Sequence, residues 1–225
     1  MDFTKYDQKL EFILRHAARI FAEKSYHSTT MRDISRATGV SLAGLYHYCT
    51  SKEELLFLIQ DNCFGRVIER LELRLSDTSD PVQKLRVFIE NHLAFFAANM
   101  AEMKVLSHEA ESLAGDLRLR VSGKKEKYTQ VARKILSEVQ QKRPPGEKQV
   151  DLTVATYALF GMMNWIYNWY NPSGKLAVNE LVDNVTRLYL TGFVNATQDR
   201  ALDLPRTTLA ESLSVWREPG DRTNA

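Results

Sequence analysis

The 225-residue chain predicts an all-α fold. Three observations carry that prediction. Apolar residues recur at helical spacing almost throughout, no stretch alternates apolar and polar residues as a half-buried strand would, and helix-start and helix-stop residues punctuate the chain. Taken in order, Leu10, Ile13, Leu14, Ala17, Ile20 and Phe21 make the apolar face of a first helix of about five turns. Thr30 and Asp33 have capping-box spacing and open a second helix through Ile34 and Ala37, which Gly39 stops. Ser41 can cap a short third helix carrying Leu45 and Tyr48. Ser51-Lys52-Glu53-Glu54 opens a long fourth helix through Leu55, Leu58, Ile59, Val67 and Leu71.

The run SDTSDP at 76–81 is the clearest break, ending on a proline suited to a first helical turn. Helical patterns resume at about 81–98, 101–113 and 115–142, and Pro144-Pro145-Gly146 stops the last of them. Two more helices are expected at about 147–170 and 177–195, separated by Asn171-Pro172-Ser173-Gly174. The stretch Thr207–Trp216, bracketed by Pro205 and Pro219, is a candidate for one further short helix. Domains are expected at 1–52 and 53–196, with a polar tail over 197–225.

Composition places the chain among globular proteins with a core of their own, at 44% hydrophobic and 26% charged residues. A net charge of +2 gives no hint of nucleic acid until it is divided by region. Residues 1–52 hold eight Lys and Arg against five Asp and Glu, a net +3, and the remainder carries −1. Cys49 and Cys63 cannot build a disulfide framework, so a reducing, cytoplasmic setting is expected. The charged start MDFTKYDQKLEF does not read as a secretory signal. The longest mostly apolar run, Tyr157 to Tyr170, is 14 residues, short of the roughly 20 that span a bilayer, so no membrane partner is expected.

Chemistry of the enzymatic kind finds little support. His16, His27, His47, His92 and His108 show no metal-ligand spacing, and no phosphate-cradling glycine loop or nucleophile elbow is present. Neither metal nor cofactor is expected. Cys63 has the place of a small buried hydrophobe in the long helix. His92 and His108 are either pocket residues or ordinary satisfied or surface histidines.

The segment from Thr30 to Lys52 carries the functional signal. Two short helices meeting at a glycine-containing turn have the form of a helix-turn-helix, whose second helix enters the DNA major groove. Ala43 and Gly44 permit close approach to the groove, and Ser41 offers a hydroxyl and a helix start to phosphate. Tyr46 and His47 are successive and so point apart, one toward phosphate and one toward a base edge. Lys52 places a cation in the first turn of a helix, against the macrodipole. A phosphate bound there accounts for it; a solvated surface lysine is the alternative. Arg32 and Arg36 are either phosphate contacts or a solvated face, Leu45 is core, and Tyr48 either packs on the first helix or touches DNA.

These residues together resemble the TetR family of bacterial transcriptional repressors. The likeness rests on Ala17 and Phe21, Thr30, Arg32-Asp33-Ile34, Ala37, Gly39-Val40-Ser41, Leu45-Tyr46-His47-Tyr48 and Ser51-Lys52-Glu53-Glu54-Leu55, and it covers the first 60 residues. The resemblance implies DNA-backbone contacts from Thr30, Tyr46 and Lys52, and base or groove contacts from Ser41, Leu42, Ala43, Gly44 and His47. Cys49 departs from the pattern, standing where a large aromatic is usual. The family implies a three-helix DNA-binding domain followed by a helical ligand-binding and dimerisation domain. It implies repression at a palindromic operator by a homodimer, relieved by a small-molecule effector.

In the rest of the chain, residues 157–170 are apolar on every side of a helix, as a helix buried by more than one neighbour would be. Aromatic density there and at Phe95 and Phe96 suits either a ligand pocket or ordinary core. Phe95, Phe96, His108, Phe160, Asn164, Trp165 and Trp169 are the candidate ligand residues. Asn164 is a polar handle in the pocket or an interface hydrogen-bonding group. By the resemblance, the last two helices form the dimer face, with Trp169, Leu181, Val185, Leu188 and Gly192 at the interface. The stretch Gly161 to Gly174 resembles family members that sense acyl-CoA thioesters. Arg118, Arg120, Lys124, Lys125, Lys127, Arg133 and Lys134 offer cations for the phosphates of such a ligand, or else make a solvated helix face. A sensor of planar aromatic or cationic drugs is the alternative effector class. A purely structural dimerisation module would leave the N-terminal motif unexplained.

Overall fold

The computed structural model describes residues 5–142 and 149–194. The motif Pro144-Pro145-Gly146, the tail and the candidate helix at 207–216 lie outside the described residues. All nine α-helices found there follow the predicted order, with no strand among the described residues. They are α1 (Lys5–Lys24), α2 (Met31–Thr38), α3 (Leu42–Tyr46), α4 (Lys52–Leu75), α5 (Pro81–Ala98), α6 (Met100–His108), α7 (Gly115–Gln141), α8 (Leu152–Asn164) and α9 (Val178–Val194).

The starts are those the capping residues dictate. Thr30 and Asp33 make a reciprocal capping box at α2, and Ser51 accepts from the Glu54 amide at the head of α4. Asp80 caps α5 with Pro81 in its first position. Gly39 ends α2 at φ 65°, the left-handed conformation that favours glycine.

Two expectations on extent are corrected. The helix expected over 101–113 ends at His108, with turns and bends following until α7 begins at Gly115. Leu113 is nevertheless buried, because the turn folds it into the N-terminal core. The helix expected over 147–170 starts at Leu152, where the Asp151 carboxylate accepts from the Thr153 and Val154 amides. It passes into a 3-10 turn at Trp165–Asn168 that carries the aromatic run to its end.

Two buried clusters organise the molecule. One joins Ile13, Ala17 and Phe21 of α1 with Ile34, Leu45, Cys49 and the first turns of α4, at Leu55, Leu56 and Ile59. It also takes in Val105, Leu113 and Val121 from beyond the head. The other is built by the far half of α4, at Val67, Ile68 and Leu71, with α5, α7, α8 and α9. Full burial of a Leu, Ile or Phe side chain contributes about 1.5–3 kcal/mol. The boundary expected at 52/53 is therefore not a break in packing, since one continuous helix serves both cores.

Candidate DNA-binding head and ligand cavity

The α2–turn–α3 unit is held from inside by Ile34 and Leu45, both fully buried. Its outer surface carries Thr30, Arg32, Ser41, Ala43, Tyr46 and His47, all exposed, with Leu42 and Gly44 half-buried between them. A shallow groove runs past Thr30, Arg32, Arg36, Leu42 and Tyr46. Of the sequence-expected DNA residues, Thr30, Arg32, Leu42 and Tyr46 meet in that groove, whereas His47 lies edge-on to Tyr6 at 5.9 Å. Arg32 pairs with no carboxylate among the described residues, and Arg36 stands 3.7 Å from Asp33. Tyr48 stacks on Tyr6 of α1 at 4.7 Å, which places it on the first helix.

Three of these residues also serve the fold, two of them as the caps that their spacing predicts. The Thr30 hydroxyl and amide both donate to Asp33, at 2.6 and 2.9 Å, and this holds the Asp33 carboxyl below its usual range. The Ser41 oxygen accepts the Gly44 amide at 3.1 Å as the cap of α3. Gly44 is needed for packing: a Cβ there would lie 2.9 Å from Val40 Cγ1 and 3.2 Å from Ser41 Oγ.

Lys52 calls for a correction to the argument that singled it out. Its ammonium donates to the carbonyls of Tyr26 and Thr29, both at 2.9 Å, and lies 4.3 Å over the Tyr26 ring. The compensation sought in a phosphate is supplied within the chain, with one of three ammonium protons left over. Cys49, where an aromatic is usual, is 2% exposed and fits the core by donating its thiol to Leu45 O at 3.5 Å. Burial pushes that thiol up to about 11, and the Cys63 thiol up to about 12.

Further along the chain, a cavity of about 370 Å³ lies among α4 to α8 and the 3-10 turn. Phe96, Phe160, Asn164 and Trp165 line it, as does His92. Phe95, His108 and Trp169 do not, and each has a geometric reason. On α5, His92 and Phe96 are four residues apart and share the cavity face. Phe95 is turned about 100° away, into a small cleft with Ile59 and Asn99. On α6 the cavity face belongs to Met103, Leu106 and Ser107. His108 instead meets a crevice beside Phe21 and Ser25, its ring edge-on to Tyr167 at 5.4 Å. Trp169 ends the 3-10 turn and is 53% exposed.

The α7 cations also sort by contact. Lys124 pairs with Asp61 at 2.6 Å and Lys127 with Glu72 at 2.7 Å, tying α7 to α4. Arg120 lies over the Phe57 ring at 4.5 Å, and Arg133 donates to Thr153 at 3.2 Å. Among these cations, only Lys125 lines the cavity, and among the described residues no Asp or Glu does.

His92 was the cavity residue that sequence left open. It is 2% exposed and faces Tyr128, whose hydroxyl lies 3.2 Å from Nδ1. Burial drives the imidazole down to about 3, against the hydrogen-bonding influence of the Asn164 side chain, so the ring is neutral. Nothing in its residue type distinguishes such a histidine; its spacing of four from Phe96 was the available signal.

The expected interface residues divide as well. Leu181 and Val185 are buried within the chain itself, because α9 lays that side against α5. Leu188 is 66% exposed, and Gly192 is also at the surface. On α8 and the adjoining turn, Val154, Tyr157 and Trp165 are exposed and fall about one helical turn or two apart. No helix among the described residues is long and apolar enough to cross a membrane.

A helix-turn-helix head on an all-helical body with an internal cavity defines a DNA-binding transcriptional regulator. The comparisons with known proteins agree in both parts. Residues 13–59 match the family model for bacterial regulatory proteins of the tetR family, and residues 78–193 match the tetracyclin repressor-like C-terminal domain. The chain belongs to the TetR family of transcriptional regulators, which are not enzymes.

Among solved structures, AibR in complex with isovaleryl coenzyme A and operator DNA is 30% identical. That match has a TM-score of 0.71 and covers 80% of this chain and 97% of that one. The HTH-type transcriptional repressor KstR2 of Mycobacterium tuberculosis is 25% identical over 182 residues, covering 80% of this chain and 90% of its own. The fatty acid metabolism regulator protein of Bacillus subtilis is 25% identical over 186 residues, covering 81% and 94%.

Proposed function

We propose that the chain is a ligand-responsive repressor that binds a palindromic operator in the cytoplasm as a homodimer. An effector of the acyl-CoA type releases it. The observation that carries the effector class is the charge of the cavity wall, aromatic and aliphatic for the most part, with Lys125 and no carboxylate among the described residues. A cationic drug would enter such a cavity without a counter-charge, at the desolvation cost of an unpaired ion. An apolar acyl group with an anionic portion matches both the wall and the lysine. At about 370 Å³ the cavity holds an acyl and thioester portion, and the nucleotide of a CoA ester would lie outside past the mouth. The known complex of AibR with isovaleryl coenzyme A and operator DNA supports this choice.

Arg32, Leu42, Ala43, Tyr46 and His47 are the proposed DNA surface, with Ser41 and Thr30 supporting its shape and offering their remaining hydrogen-bonding capacity to phosphate. The exposed apolar residues Val154, Tyr157 and Trp165 with Leu188 and Gly192 make the proposed dimer face. A dimer sets two recognition helices about 34–36 Å apart, one turn of DNA. An effector favouring a body conformation that splays the heads would break that spacing. The test is an operator-release titration on a palindromic promoter fragment, comparing isovaleryl-CoA and longer acyl-CoAs with the planar cation ethidium. Release by the CoA esters alone is expected. Release by ethidium alone would assign the chain to the drug-sensing class.

A further inference from the structure

The cavity contains one polar atom that the fold leaves unmatched. Among the described residues, His92 Nε2, buried in the cavity wall at 2% exposure, closes no hydrogen bond of normal length, and the Asn164 side chain on the same wall stands beside the ring. Buried polar atoms in folded proteins are nearly always paired, so an exception beside a ligand cavity asks for a ligand atom. The other ring nitrogen is accounted for, with Nδ1 3.2 Å from the Tyr128 hydroxyl. A neutral imidazole has one donor and one acceptor nitrogen. Phenol is the stronger acid of the two and imidazole nitrogen the stronger base, so the hydroxyl donates to Nδ1. In that arrangement the proton is on Nε2, which is then a donor.

The ring is also fixed in place. It lies 4.7 Å from Phe96 and 5.9 Å from Tyr128, with Phe160 at 6.0 Å. Such packing holds a hydrogen-bonding group without leaving it free to turn. A neutral N–H in this setting matches a neutral acceptor oxygen. It offers no charge to a carboxylate and no acceptor to a cation.

We propose that His92 is the specificity residue of the cavity, its Nε2–H donating to a neutral carbonyl oxygen at the buried end of the effector. Tyr128 is the positioning residue that sets the tautomer. This rests on the acyl-ester effector above and names the atom in it that is recognised, the thioester carbonyl. Lys125, on the same cavity wall, then meets an anionic portion of the same molecule.

The experiment uses two probes that differ in that oxygen, isovaleryl-CoA and the thioether S-isopentyl-CoA, titrated calorimetrically into the full-length protein. The wild-type protein is expected to favour the thioester by about tenfold or more, the scale set by leaving a buried donor unpaired. His92→Phe keeps the ring and removes both nitrogens, and is expected to bind both probes equally, at the thioether's affinity. Its melting temperature and operator binding report whether it folds. The preference measured in the wild-type protein needs no variant, and nitrogen NMR of His92 reads the tautomer directly. Equal binding of the two probes by the wild-type protein overturns the proposal while leaving the acyl-CoA class standing. A proton found on Nδ1 overturns it as well. Binding of neither probe overturns both this proposal and the effector class on which it rests.

Discussion

The Glu109 carboxylate accepts the backbone N–H of Tyr26 at 3.1 Å, across 83 residues of sequence. Its second oxygen takes the Ser112 hydroxyl at 2.8 Å, and its own carbonyl takes the Gln60 amide at 3.1 Å. Glu109 directly follows α6, whose Met103, Leu106 and Ser107 line the cavity. Tyr26 belongs to the loop that leads into α2. A shift of α6 would reach the base of the helix-turn-helix through this bond. Glu109→Ala should leave the buried Tyr26 amide unpaired, lowering stability by about 1–3 kcal/mol and weakening effector-driven release. Glu109→Gln keeps an acceptor and should follow the wild-type protein. Urea unfolding and operator-release titrations check the pair.

Lys52 answers to two duties that one variant separates. Lys52→Met removes the bonds to the Tyr26 and Thr29 carbonyls, for an expected loss of about 1.5–3 kcal/mol. If the remaining ammonium proton meets a phosphate, the log–log slope of operator affinity against salt also falls by about one. Both changes are expected. A stability loss at unchanged slope would assign Lys52 wholly to the loop.

Gly44→Ala tests whether that glycine serves the turn. The new methyl group would be 2.9 Å from Val40 Cγ1, so the Val40 side chain or α3 has to give way, at about 1–3 kcal/mol. Adding Val40→Ala should recover part of that loss. Thermal melts of the single and double variants are sufficient. A neutral Gly44→Ala would mean that small size at 44 serves only the approach to DNA.

The buried His92 links stability to acidity. Its folded pKa of about 3 lies below the ordinary value of 6.5. Between those values the unfolded chain binds a proton that the folded chain does not, so stability falls as pH drops below about 6.5. The largest slope one such group gives is about 1.4 kcal/mol per pH unit. Asp33, Glu54, Asp80 and Asp151 all have lowered values, and their contribution is lost only further down, below the ordinary carboxylate range. The window from pH 6.5 to about 4.5 therefore belongs mainly to His92. His92→Phe should flatten a urea-derived stability profile there.

Much of the head was legible because its signals are local. Thr30 with Asp33, Gly39, and Ser41 with Gly44 settle caps and turns over three or four residues, and local hydrogen bonds realise them. Cavity residues were read less well, because aromatic content says that a helix is buried and not which neighbour it faces. Phe95 and Phe96 are adjacent and alike, yet a rotation of about 100° sends one to the cavity and the other to a separate cleft. Leu181 and Val185 have the same apolar character as Leu188, and only the placement of α5 tells core from surface. Lys52 and Glu109 were beyond reach of pattern. Their partners are distant backbone atoms, which carry no sequence signature.

The sharing of α4 between two cores bears on protein engineering. Leu55, Leu56 and Ile59 stand with the reading head, whereas Val67, Ile68 and Leu71 stand with the effector body. A chimera that grafts this head onto another sensor should be spliced between Ile59 and Val67, inside the helix and not ahead of it. The recipient must also furnish counterparts of Val105, Leu113 and Val121, which close the head from the other side. Splicing at residue 52 would strip the grafted head of its floor.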